Sequence, residues 1–232
     1  MKGVLTALLK SFARACKEFD LLAEGDRVAV ALSGGKDSTS LLDLMLRYRQ
    51  RAGVSYDVMA VHVVGTAAGF PDQTGVLAPW LEARGVAYRF VPLEFPPEET
   101  LPPDCFRCSW NRRKALFLAA DALGCNKLAL GHHADDAAVT ALMNLLFTGR
   151  LETLEPKVEF FGGRITVIRP LIYIPARDLA AYARASGFPL APPCPYGRDA
   201  NRQKIEDFLR RFGPRQQAHI RANLWRAAHR EV

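Results

Sequence analysis

Five short apolar runs alternate along the chain with five segments of helical period, and this alternation limits the fold more than any other feature. The first run, Val28 to Leu32, leads into a helix from about Thr39 to Arg51. YDVMAVHVV follows, then PDQTGVLAPWLEARG, a helix with Pro79 expected near an irregular start. VAYRFVPLEF alternates as a third strand, and beyond the loop FPPEETLPPD a helix is expected from Trp110 to Leu123. KLALGHH and RITVIRPLI are the fourth and fifth strands, each followed by a helix, ADDAAVTALMNLLFTG and PARDLAAYARASG. Such an order implies an α/β fold, a doubly wound, mostly parallel five-stranded sheet covered on both faces. Ahead of it, Leu5, Leu8, Leu9, Phe12, Cys16 and Phe19 recur at the spacing of an amphipathic helix. The expected organisation is that helix over 1–24, a nucleotide-binding unit over 25–190, and an irregular loop with a basic helical segment over 191–232.

Hydrophobic residues make up 49% of the 232, enough for a sizeable core. No apolar run approaches the roughly 20 residues that span a bilayer. Lys10, Arg14 and Lys17 interrupt the one N-terminal stretch that resembles a signal. No membrane partner and a cytoplasmic location are therefore expected. The net charge is +7, and Arg210, Arg211, Arg215, Arg221, Arg226 and Arg230 concentrate it near the C-terminus. These arginines form either a solvated helix face or a footprint for a polyanion such as RNA. No aromatic-rich RNA-binding signature chooses between the two.

The first strand runs into Ser33, Gly34, Gly35, Lys36, Asp37 and Ser38 before its helix. Ligands of doubly wound sheets sit at the carboxyl ends of strands, where this loop lies. The glycines let backbone N–H groups approach an anion, the helix start adds its dipole, and Lys36 adds a full charge. Ser33, Ser38 and Thr39 offer hydroxyl donors. Phosphate suits all of these. The loop is not a Walker A motif, because Val30 stands where the first glycine belongs and Asp37 where Ser or Thr follows the lysine. A carboxylate beside phosphates is repulsive unless a divalent cation lies between, so Asp37 implies magnesium.

Of the five cysteines, Cys16 on the apolar face of the first helix and Cys125 in LGCNK are expected to be packed structural residues. Cys105 and Cys108 form a CxxC placed just before a helix, with Arg112, Arg113 and Lys114 in its first turns. A helix dipole and nearby cations lower thiol pKa values, so thiolates are expected there. Cys194 lies in a proline-stiffened loop, APPCPYG. A stable disulfide is disfavoured in a reducing compartment, and a zinc site needs a fourth ligand. A [4Fe–4S] cluster held by three thiolates would leave one iron open. In GHHADD, a strand ends at a glycine and two carboxylates open a helix, where each can be a dipole partner worth under roughly 1 kcal/mol. Asp135 fits that role. Arg112 and Arg113 either stabilise phosphates and developing negative charge or simply solvate the helix. Arg169 is expected to be a buried ion-pair partner.

The hexapeptide SGGKDS resembles the signature of the N-type ATP pyrophosphatase (PP-loop) superfamily, whose members cleave ATP to AMP and pyrophosphate while adenylating a substrate. Across EGDRVAVALSGGKDS, CFRCSWNRRKALFLAADALG, KLALGHHADDAAVT, VIRPLIY and NRQKIEDFLR, the chain resembles the tRNA 2-thiocytidine synthetase family. The resemblance covers nearly the whole chain in the same order. It implies a Rossmann-like adenine nucleotide alpha hydrolase fold and thiolation of a tRNA base, most simply cytidine, through an adenylated intermediate. It implies ATP contacts from Ser33, Gly34, Gly35, Lys36, Asp37 and Ser38, and magnesium at Asp37 and Asp136. Asp136, Arg112 and Arg113 are the catalytic candidates. Cys105, Cys108 and Cys194 are implied as ligands of a [4Fe–4S] cluster. The chemistry calls for tRNA and for a sulfur donor, a cysteine desulfurase or sulfide, and leaves open whether the subunits pair as a homodimer. The chain departs from the family at Tyr196 and Gly197, near which members often carry another cysteine. A related uridine-thiolating group carries zinc fingers, and no further CxxC or CxxH pair occurs here. The competing functions are an adenylating ligase or amidase that uses an amine, and a non-catalytic nucleotide-binding regulator.

Overall fold

The computed structural model describes residues 2–99, 101, 103–192, 194, 196 and 200–229. Arg230, Pro195 and Gly197 lie outside them. The chain opens with helix α1 (Lys2–Glu18), then β1 (Asp26–Ala31), α2 (Lys36–Arg49), β2 (Tyr56–Val64), α3 (Thr74–Glu82) and β3 (Ala87–Pro92). It continues with α4 (Cys105–Ala122), β4 (Lys127–Ala129), α5 (Ala134–Thr148), β5 (Lys157–Phe160), β6 (Ile165–Ile168) and α6 (Ala176–Ala185), and ends with the hairpin α7 (Ala200–Arg210) and α8 (Pro214–Ala228). Among the described residues, no helix is long and apolar enough to cross a membrane.

The sheet has six strands in the order β3-β2-β1-β4-β6-β5. Five are mutually parallel, as expected; β5 is an additional antiparallel edge strand paired with β6. Its signals are the alternation KVEF and the turn after it, where Phe161, Gly162 and Gly163 all have positive φ. The fifth expected strand is shorter than RITVIRPLI, since Pro170 cannot donate to a ladder.

β1 alternates between two cores, with Val28 and Val30 facing one and Ala29 the other. The larger core also takes in Leu8, Phe12, Ala15 and Cys16 of α1 and much of α2. Burial pushes the Cys16 thiol up to about 12, and Cys125 packs in the smaller core with Sγ 3.3 Å from Met59 Sδ. Both are packed residues, as expected.

Three helices begin differently from expectation. α2 starts at Lys36 rather than about Thr39, so Lys36, Asp37 and Ser38 form its first turn. α3 starts at Thr74, whose N–H donates to Asp72 Oδ1 at 2.8 Å, so Pro79 lies inside the helix. α4 starts at Cys105, not Trp110, because the Asp104 carboxylate caps it, accepting from the Arg107 N–H at 2.7 Å. The CxxC therefore forms the first turn of α4.

The connections from β1 run towards β3 on one side, while β4 lies on the other flank of β1. The crevice between the carboxyl ends of β1 and β4 is thus the topological switch point, where ligands of such sheets bind. SGGKDS follows β1 there, and GHHADD follows β4.

Candidate active site

The loop after β1 is knitted by its own hydroxyls. The Ser33 N–H donates to Ser38 Oγ at 3.1 Å, the two hydroxyl oxygens lie 3.0 Å apart, and Ser38 Oγ donates to the Gly35 carbonyl at 3.0 Å. Thr39 Oγ1 reaches the same carbonyl at 3.1 Å. Ser38 and Thr39 are buried, and their hydroxyls shape the loop. Ser33 stays exposed, and Gly35 is the N-cap of α2. Lys36 Nζ lies 2.6 Å from Asp37 Oδ2.

Gly131 brings the second motif against the first. A Cβ there would stand 3.3 Å from the Asp37 carbonyl carbon and the Ser38 nitrogen, so a larger residue would push the two loops apart. His133 then caps α5 in a reciprocal box. Its Nδ1 accepts from the Asp136 N–H at 3.3 Å, and Asp136 Oδ2 accepts from the His133 N–H at 3.0 Å. His133 Nε2 is 3.8 Å from Asp37 Oδ1, so this imidazole sits between the two carboxylates. Burial opposes ionisation of Asp136, but His133, His132 and Arg202 outweigh it and hold the carboxyl below its ordinary value. Asp135 accepts from the Ala176 N–H at 2.7 Å and from Arg221 at 2.8 Å.

Cys105, Cys108 and Cys194 line one cavity of about 340 Å³, together with Arg112, Arg113 and His132. The chain ties Cys194 to this edge through Ala191, whose N–H donates to the Gly34 carbonyl at 2.8 Å. Burial pushes the Cys108 thiol up; Arg112 opposes it, while Cys194 and Cys105 add to it. At Cys108, therefore, desolvation overrides the cations expected to lower the thiol. Arg107, between the two cysteines in sequence, is paired with Glu99 at 2.9 Å. Among the described residues, no three His, Cys, Asp or Glu side chains converge as ligands of a single metal ion. Three thiols around one cavity match a polynuclear cluster, in which each thiolate takes a different iron.

A second cavity of about 520 Å³ lies over the carboxyl ends of β1 and β2, lined by Ser33, Gly35, Lys36, Asp37, Val61 and His62. Cys194, Arg112, Phe70 and Leu116 line both this cleft and the cysteine cavity. Arg112 spans the junction, its guanidinium 4.1 Å from the centre of the Phe70 ring. Among the described residues, Arg112 Nε is buried with no hydrogen-bond partner, a cost that a ligand oxygen would remove.

A PP-loop domain model matches residues 6–65. The tRNA-cytidine(32) 2-sulfurtransferase of Alkalilimnicola ehrlichii is 41% identical over 216 residues, covering 89% of this chain and 68% of the relative. That of Anaeromyxobacter sp. strain K is 39% identical over 227 residues, covering 95% and 77%. The chain belongs to the tRNA-cytidine(32) 2-sulfurtransferase family. The fold agrees with a solved U34-tRNA thiolase, NcsA from Methanococcus maripaludis with its [4Fe–4S] cluster, at a TM-score of 0.78 and 23% identity, covering 98% of this chain and 82% of the thiolase.

In this member of the tRNA-cytidine(32) 2-sulfurtransferase family, the residues singled out in sequence fall into two adjoining groups. The phosphate loop meets Asp136 through His133, and the three cysteines meet Arg112 and Arg113 around the other cavity. Among the described residues, Arg169 has no carboxylate partner of the kind expected. Its Nε donates to His132 Nδ1 at 3.2 Å and its Nη1 to the Glu155 carbonyl, and burial lowers it to about 10. Burial likewise takes His132 down to about 4, against the pull of Asp136, so it is neutral at pH 7 and accepts from Arg169.

Three site residues escaped the sequence reading. His133 appeared as part of a motif but had no assigned role. Arg202 donates to Asp136 and Arg221 to Asp135, across 66 and 86 residues of sequence. Arg221 is therefore turned inward rather than displayed for RNA. A local trace of Arg202 is its helical pairing with Glu206, at 3.2 Å.

Proposed function

We propose that this protein thiolates a cytidine of tRNA in an ATP-dependent reaction, through an adenylated base and with release of AMP and pyrophosphate. One observation carries the reading: Cys194 and Arg112 line both the three-cysteine cavity and the cleft of the phosphate loop. Activation and sulfur delivery need such adjoining compartments, because the activated carbon must meet sulfur before water reaches it.

The chain's own groups divide the work. Residues 25–190 bind and activate; 191–232 bring Cys194 to the site and close it. The backbone of the loop at Gly34 and Gly35, the Ser33 hydroxyl and Lys36 hold the phosphates. Asp37 and Asp136 would hold magnesium, which neutralises phosphate charge. His133 fixes the Asp136 carboxylate through its N–H. Arg112, with its unpartnered Nε, stabilises charge that develops at the α-phosphate, and Arg113 at the cavity rim adds to the field. Cys105, Cys108 and Cys194 fit a [4Fe–4S] cluster, which when bound would supply an iron free of protein ligands as a place for sulfur. The sulfur comes from a cysteine desulfurase or sulfide in the cytoplasm.

Mass spectrometry of tRNA nucleosides from cells with and without the protein tests the reading. Loss of 2-thiocytidine on deletion, restored by the wild-type chain, is expected. An unchanged nucleoside profile would overturn it.

A further inference from the structure

Lys36 and Asp37 line a third cavity besides the nucleotide cleft, so they form a wall between the two. This third cavity, about 430 Å³, also receives Arg177, Arg202, Arg210 and Arg221. Its far side is the α7–α8 hairpin, which packs against α5.

Two of the arginines rest on neighbouring carboxylates. Arg202 Nη2 contacts Asp136 Oδ1, and Arg221 Nη1 lies 2.8 Å from Asp135 Oδ1. The second carboxylate oxygen of each aspartate is held by backbone, Asp136 by the His133 N–H and Asp135 by the Ala176 N–H. The carboxylates are thus fixed on the scaffold, while the guanidinium groups approach them on long side chains from another element. A guanidinium fork fits phosphate as well as carboxylate. A nucleotide in the cleft, with its phosphates on the loop, would put its outer phosphates at the Lys36–Asp37 wall. Beyond that wall stand the arginines.

We propose that Arg202 and Arg221 bind the pyrophosphate end of ATP. In the nucleotide-free protein they are parked on Asp136 and Asp135; when ATP enters with its cation, the carboxylates keep their backbone contacts and the guanidinium groups swing to phosphate oxygens. As the base oxygen bonds to the α-phosphorus, the bond from that phosphorus to the bridging oxygen breaks and its electron pair leaves with pyrophosphate. The two arginines stabilise that charge. The inference rests on the ATP-dependent reading above, and it adds two residues of the C-terminal hairpin to the site.

Calorimetric titration of the whole chain with magnesium pyrophosphate, and separately with AMP, tests it. Arg202→Ala and Arg221→Ala are each expected to weaken pyrophosphate binding by roughly 10- to 100-fold, the usual cost of a missing hydrogen bond to a charged group. AMP binding should stay at the wild-type level, and Arg202→Lys should recover part of the loss. The lysine variants of both positions keep the charge on the aspartates, so they report even where alanine unfolds the hairpin. Unchanged pyrophosphate affinity, or pyrophosphate and AMP affinities falling in step, would show that the pairs only dock α7–α8 and would overturn the proposal. Wild-type protein that binds AMP but not pyrophosphate would also overturn it. Wild-type protein that binds neither ATP nor AMP would instead remove the ATP-dependent reading itself.

Discussion

The Ala191 N–H donates to the Gly34 carbonyl at 2.8 Å, and this bond joins the segment bearing Cys194 to the phosphate loop. Gly34 is buried beneath that segment with φ +80°, and a Cβ on it would stand 3.1 Å from Ala191 Cβ. Backbone conformation in the loop and the position of the third cysteine are therefore mechanically connected.

Gly34→Ala should accordingly damage both halves of the site. The left-handed conformation alone costs an alanine about 1–2 kcal/mol, a drop in Tm of roughly 2–8 °C for a chain of this size. The contact with Ala191 adds displacement of the Cys194 segment, so iron retention should fall with ATP turnover. Gly53→Ala is the control, because Gly53 has φ +74° but, among the described residues, nothing within 4 Å of the added Cβ. It should lose stability and keep activity. Equal activity for the two variants would mean that the Gly34–Ala191 contact has no functional weight.

Asp37→Ala should reduce pyrophosphate release by 100-fold or more, on the order of what one positioned charge contributes in a site of this kind. Stability should barely change, since Asp37 is only partly buried and its 2.6 Å partner is its neighbour Lys36. Pyrophosphate release and thermal unfolding are measured on the same preparation. A folded variant with wild-type release would remove Asp37 from the site.

The five cysteines should separate into two sets. After anaerobic reconstitution, alanine at Cys105, Cys108 or Cys194 should lose iron and thiolation together. Cys16→Ala and Cys125→Ala should keep both, because those thiols are packed in the two cores. Iron counting and visible spectroscopy decide it. Wild-type protein that thiolates RNA without iron would replace the cluster by a persulfide on one of the same thiols.

RNA binding should depend on salt through arginines left at the surface. Arg211, Arg215 and Arg226 are exposed on the C-terminal hairpin, whereas Arg221 is 12% exposed and bound to Asp135. Removing the three exposed charges should reduce the slope of log K against log salt by up to about 0.9 for each phosphate that is no longer neutralised. Arg221→Ala should instead lower Tm, because it leaves a partly buried carboxylate uncompensated. Filter binding across a salt series separates these effects. A slope that responds to Arg221 and ignores the exposed three would refute this assignment.

Much of the architecture was legible from local pattern. Alternating apolar runs and helical periods marked the five parallel strands and the helices between them, because burial on two sheet faces imposes that pattern on every segment. The strand, SGGKDS and helix unit could be read within a dozen residues. Errors fell where a few atoms outweighed periodicity. Asp104 moved the start of α4 back to Cys105 by one side-chain cap, and a short Gly-Gly hairpin added β5 at the sheet edge.

What the sequence determined by itself was the chemistry at hand: a phosphate loop, a paired carboxylate motif and three loop or helix-end thiols, each recognisable from its immediate neighbours. Tertiary structure decided which of these meet. Strand order placed the ends of β1 and β4 side by side, Gly131 let the two loops touch, and the Gly34–Ala191 bond carried Cys194 to the other cysteines. It also turned Arg221 from an expected basic surface into a partner of Asp135, and brought Arg202 to Asp136. Periodicity and capping act over a few residues, so they register in any short window. Contacts across 66 or 86 residues arise only when whole layers pack, and no local window contains the energy that selects them.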